Sequence, residues 1–99
     1  MNDRYILDGK TPVVCDDLMK WASWIEDADR RVAKTEKDKI RVSTVFMGLD
    51  YSFGDGVSQL FETMIFGGEH DQYQERFATW EEAEAGHKTA CELAGLTHA

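Results

Sequence analysis

An α+β fold is predicted for this chain by three observations: two strand-like apolar runs at Val42–Leu49 and Leu60–Phe66, a helical apolar stripe starting at Leu18, and a capping-box helix start at Thr79. A glycine-containing loop joins the two runs, so antiparallel pairing is the simplest connection. The predicted architecture is a small antiparallel sheet, an N-terminal hairpin plus a two- or three-stranded meander, packed against two helices. Residues 1–99 make a single domain, whose core is modest because a chain this short buries only roughly 60–70 % of its unfolded surface.

From Arg4 to Cys15, Asp8-Gly9 separates two short apolar runs, a hairpin signal. Pro12 cannot donate to a strand ladder and assigns the second arm to an edge. Asp16 or Asp17 then caps a helix, since a carboxylate there accepts otherwise unpaired backbone N–H groups. Leu18, Trp21, Ala22, Ile25, Ala28 and Val32 fall on one face at helical spacing, with Glu26/Arg30 and Asp27/Arg31 as i,i+4 pairs, so the periodicity predicts a helix of about 17 residues. Trp24, at the flank of that stripe, is read as a core contact in preference to an exposed anchor. Lys34–Lys39 carries both charge signs without apolar period and is expected to be a frayed helix end and connector.

Ile40–Leu49 is β-branched and apolar on both alternating rows, which predicts a central strand covered at least in part on both faces. Asp50–Gln59 is a loop by its glycines and turn formers. In Leu60–Phe66 one row holds Leu60, Glu62, Met64 and Phe66 and the other Phe61, Thr63 and Ile65. Gly67-Gly68 ends that strand, Glu69-His70-Asp71 turns, and Tyr73–Phe77 alternates as a third, shorter strand. Thr79 and Glu82 form the capping box, after which Trp80, Ala83, His87, Ala90, Cys91 and Ala94 make a stripe that Gly95 terminates. Trp21, Ile25, Val42, Phe46, Met64, Phe66, Trp80 and His87 are the expected buried set.

The charge is unevenly distributed. Residues 1–49 carry nine acids and nine Lys/Arg, whereas residues 50–99 carry ten acids against Arg76 and Lys88, so the net charge of −8 lies entirely in the second half. Direct nucleic-acid binding is disfavoured, because phosphate affinity needs clustered cations, and a partner with a basic surface is favoured instead. No apolar run of membrane-spanning length and no signal-peptide pattern is present, which makes the cytoplasm the expected location. Cys15 and Cys91 lie far apart without a CxxC partner and are expected as reduced thiols.

Few residues suggest chemistry. His87 and Cys91 share a helix face at a spacing a metal site can use, but a core histidine and a small apolar thiol are the favoured reading. Glu62, Asp50 and His70 are the acid–base candidates, and a small-molecule or metal-dependent activity around Glu62, His70 and His87 is the competing expectation. The glycines match neither GxGxxG nor GxxxxGK, and no catalytic residue, metal ligand or cofactor site is assigned.

The strings VSTVFMGLDYSFG, LFETMIFGG and RFATWEEAEAGH, in this order over residues 41–87, resemble a family of small proteins encoded in bacteriophages and prophages. The resemblance covers about half of the chain and implies a phage setting, with the bacterial host cytoplasm as location; it brings no activity or site residues. The chain departs from the family where Asp55–Gln59 replaces a stretch of glycine and proline. The functional expectation is an acidic accessory protein that binds and inhibits a host protein or nucleoprotein, with Asp50, Tyr51, Phe53, Asp55, Glu69, His70 and Asp71 as binding residues. A structural or regulatory homodimer, formed through a sheet edge or Trp24, is the plainer alternative.

Overall fold

The structure, a computed structural model, describes residues 4–50 and 56–96. Strands β1 (Tyr5–Asp8) and β2 (Thr11–Val14) form the expected hairpin, with Leu7 opposite Pro12 in a sheet of only these two strands. Helix α1 spans Leu18–Asp27 and is capped by Asp17, whose Oδ1 accepts from the Lys20 backbone N–H at 3.1 Å.

Helix α1 is ten residues long, shorter than its periodicity suggests. Ala28 is already extended, and Asp29 Oδ1 accepts from the Arg31 backbone N–H at 3.1 Å, an Asx turn that redirects the chain. The next element is strand β3, Arg31–Lys37, in place of the helix end and connector that the charge pattern predicts. The Glu26/Arg30 and Asp27/Arg31 helical pairs therefore do not form, because both arginines lie beyond the helix, and Val32 belongs to the strand. Asp38 (φ 53°) and Lys39 (φ 70°) make a two-residue turn with both residues left-handed, the geometry that matches strand twist in tight hairpins.

The chain continues through β4 (Ile40–Phe46), β5 (Phe61–Phe66), β6 (Gln74–Phe77) and α2 (Trp80–Ala94). Strands β3 to β6 form one antiparallel meander in sequence order, so β4 is interior as expected and β3, not anticipated, is an outer edge. Both halves of the capping box are present: Thr79 Oγ1 accepts from the Glu82 N–H at 3.1 Å and Glu82 Oε1 accepts from the Thr79 N–H at 3.2 Å. Gly95 ends α2 in the left-handed region.

The register pairs Val42 with Ile65, Thr44 with Thr63 and Phe46 with Phe61, and these six side chains form the fully buried row beneath α2. Met64 and Phe66, expected in the core, are half-buried on the opposite face, where no helix packs among the described residues. The cause is phase: Phe61, Thr63 and Ile65 are the row that α2 covers, so Glu62, Met64 and Phe66 point away. Trp21, Ile25 and Trp80 are half-buried, and Leu18 and Ala22 of the α1 stripe are exposed.

Two apolar clusters lie under the covered face. Val42, Ile65, Ala90, Cys91 and Leu96 pack beneath the C-terminal half of α2. Phe46, Leu60, Phe61 and Ala83 form the other, closed over by Tyr5, Leu7, Trp24 and Trp80. Ring contacts run from Trp24 to Phe46 (5.8 Å), Phe61 (5.2 Å) and Trp80 (6.1 Å), so Trp24 is the core contact expected of it. Trp21 Nε1 donates to the carbonyls of Tyr5 (3.1 Å) and Gly48 (3.0 Å), which fastens the hairpin to the end of β4. A Cβ at Gly86 would run into the Phe77 ring, so this glycine permits α2 to lie close on β6. Among the described residues no helix is long and apolar enough to cross a membrane.

Candidate functional site

A groove of about 490 Å³ lies between the edge strand β3 and helix α2. Thr35 lines it from β3; His87, Cys91 and Leu96 line its floor, and Glu84, Lys88 and Glu92 stand along its helix side. Cys91 and Leu96 supply an apolar base at 8 % and 7 % exposure. Strand alternation explains why Thr35 enters the groove while its neighbours Lys34 and Glu36 project to the other face.

His87 closes the inner wall through a chain of hydroxyls. Its Nε2 lies 2.9 Å from Thr35 Oγ1, its Nδ1 2.7 Å from Thr44 Oγ1, and Thr44 Oγ1 lies 2.6 Å from Thr63 Oγ1. Either neutral tautomer satisfies this chain, because each threonine hydroxyl both donates and accepts. Burial pushes the His87 pKa below its ordinary 6.5, which keeps the ring neutral at physiological pH. With both nitrogens engaged by threonines, the residue acts as a polar tie between β3, β4 and α2. Cys15 and Cys91 are both free and buried.

The acid–base candidates are not assembled into one site. Glu62 sits on the open face, where its Oε2 meets Arg76 Nε at 3.1 Å and accepts from Gln74 Nε2, whereas His87 is on the covered face beneath α2. His70 lies in the β5–β6 turn and lines a separate cavity of about 310 Å³ with Glu69, Ile40 and the end of α2.

The expected binding residues are similarly divided. Tyr51, Phe53 and Asp55 lie outside the described residues. Asp50 closes the neck of its loop, its carboxylate accepting from Ser58 Oγ at 2.8 Å and the Gln59 N–H at 3.1 Å. Asp71 Oδ1 accepts from the Gly67 N–H at 2.7 Å and shapes the turn carrying Glu69 and His70. Asp50 follows β4 and precedes β5, while Glu69–Asp71 follow β5, so the two groups sit at opposite ends of that strand, about 20 Å apart along it. They do not make a common surface.

The sequence anticipates the groove only in part. The spacing of His87 and Cys91 is visible in it, but nothing there connects Thr35, Glu84, Lys88, Glu92 and Leu96 with them. The available signal is the alternation of Lys34 and Glu36 against Ala33, Thr35 and Lys37, which a bulge between Arg31 and Ala33 interrupts at Val32. Comparison with protein-family models, curated proteins and solved structures finds no match to this chain.

Proposed function

We propose that this is a phage-encoded accessory protein that binds a host protein through a basic surface of that partner and inhibits it, acting in the host cytoplasm. Nucleic-acid-handling defence components, restriction or CRISPR proteins among them, are partners of the right chemistry, since their nucleic-acid grooves are basic. The observation that carries this reading is the outer face of α2, where Glu81, Glu84 and Glu92 are exposed and Lys88 is the helix's one cation. Opposite charge across an interface accelerates encounter and selects the partner more than it adds affinity. The phage resemblance of residues 41–87 supplies the setting.

The division of charge supports the same side of the molecule. Arg31, Lys34, Arg41 and Arg76 share the open sheet face with Glu36 and Glu62, so cations outnumber acids there. The acid excess is left to the loops and helices. Affinity capture from host lysate with the tagged protein tests the reading: a host protein with a basic surface is recovered at low salt and lost as salt screens the contact. Recovery of no host protein at low salt contradicts it.

A further inference from the structure

We propose that the groove between β3 and α2 takes an extended segment of a partner polypeptide, added to the sheet along β3, with an apolar side chain seated in the groove and basic side chains at its acidic rim. The inference rests on the reading that the partner is basic, and it names where and in what conformation that partner binds.

Among the described residues no strand pairs with the outer side of β3. Phe46 N–H donates to Arg30 O and Met47 N–H to Leu60 O, both at 2.8 Å, so even-numbered β4 residues bond toward β3 and odd-numbered ones toward β5. The register sets Ala33 opposite Thr44 and Thr35 opposite Val42, which commits Ala33 and Thr35 to β4. The intervening Lys34 and Glu36 direct their N–H and C=O groups away from the sheet, at the two-residue spacing an incoming strand matches. Every second side chain of that strand then projects to the α2 side, over the groove lined by Thr35, Cys91 and Leu96.

On the helix side of the groove charge favours a basic occupant, while the β3 cations Arg31 and Lys34 lie on the open face. Glu84 and Glu92 flank the groove with Lys88 between them in sequence, so a lysine or arginine two residues before or after the seated apolar residue finds a carboxylate. A second copy of this chain fits poorly. Two-fold antiparallel pairing along β3 keeps both α2 helices on the same sheet face, turning Glu84 and Glu92 of each copy toward their counterparts, between molecules of net charge −8 each.

Two end-blocked peptides of identical composition test this against 15N-labelled protein: Thr-Lys-Thr-Val-Thr-Lys-Thr, with lysines in phase with the valine, and Thr-Thr-Lys-Val-Lys-Thr-Thr, with lysines on the opposite face. The in-phase peptide is expected to shift the amide signals of Lys34, Glu36, Cys91 and Leu96 and to bind at least about fivefold more tightly than its isomer. Lys34→Pro, which removes an outward N–H, and Lys88→Trp, which fills the groove from an exposed position, should each erase that preference while a dispersed spectrum shows the fold intact. Equal affinity for the two isomers, shifts confined to the open sheet face or α1, or no binding of either peptide overturns strand addition. If host capture succeeds with wild type and equally with Lys34→Pro, strand addition fails and the basic-partner reading survives; if capture fails with wild type, that reading fails as well.

Discussion

The two faces of the β3–β6 sheet are built from the same strands and serve opposite purposes. On the covered face Val42, Thr44, Phe46, Phe61, Thr63 and Ile65 are wholly buried, and even the two threonines are withdrawn from water because His87 completes their hydrogen bonds. On the open face Glu62 is held by Arg76, and the Arg41 guanidinium lies 4.4 Å from the centre of the Phe66 ring. Alternation thus divides this sheet into a face that holds the fold and a face that remains wet. The edge strand β3 belongs to both: Thr35 contributes to the buried hydroxyl chain, while Lys34 and Glu36 lie on the wet side.

Substitutions should separate the faces by size of effect. Phe46→Ala removes a fully buried ring touching Trp24 and Phe61 and is expected to cost about 3–5 kcal/mol in denaturant unfolding. The half-buried Met64→Ala on the other face should cost less than half of that. Near-equal losses would mean that the open face is covered in solution.

Gly86→Ala probes the covered face at the helix–sheet contact. In a free helix this change stabilises by roughly 1 kcal/mol, but here the new methyl meets the Phe77 ring, and the expected result is a net loss of about 1–3 kcal/mol. A rise in melting temperature would show that α2 does not sit so close.

The buried histidine gives the covered face a pH dependence. Its folded pKa lies below the unfolded 6.5 because burial disfavours the charged ring. Its neutral form therefore contributes fully above pH 6.5, and the contribution declines as pH falls from 6.5 toward the depressed folded value, where the unfolded chain binds the extra proton. Unfolding free energies measured from pH 7.5 down to about 5 should fall more steeply for wild type than for His87→Phe. Parallel curves would show that His87 is accessible to protons. The smallest effect is expected for Arg41→Ala, at about 0.5–1 kcal/mol, because the cation–π contact to Phe66 is on the wet face.

Where local chemistry was decisive, the sequence was legible. Asp8-Gly9 placed the hairpin, Asp17 the start of α1, and Thr79 with Glu82 the start of α2, each through hydrogen bonds within a few residues. Strand β3 was not legible, because Glu26/Arg30 and Asp27/Arg31 mimic a continuing helix and the Asp38-Lys39 turn contains no glycine. Its strand state depends on pairing with β4, a contact that local propensity does not encode. The phase of β5 was hidden for a related reason: Thr63 is polar and Met64 and Phe66 are not, so only the His87–Thr44 partnership makes burial of the threonine row favourable. The groove required β3 and was hidden with it, while Asp50 and Glu69–Asp71, the described residues among those expected to bind, are separated by the length of β5.

We propose binding on the β3–α2 side and not on the open sheet face. The most direct test is the affinity of a captured host partner for two charge reversals, Glu84→Lys with Glu92→Lys on the helix, and Arg41→Glu on the open face. The helix variant is expected to lose at least about tenfold in affinity, with the larger part of the salt dependence, while the open-face variant stays within about twofold of wild type. Equal losses, or a loss only for Arg41→Glu, would contradict that assignment.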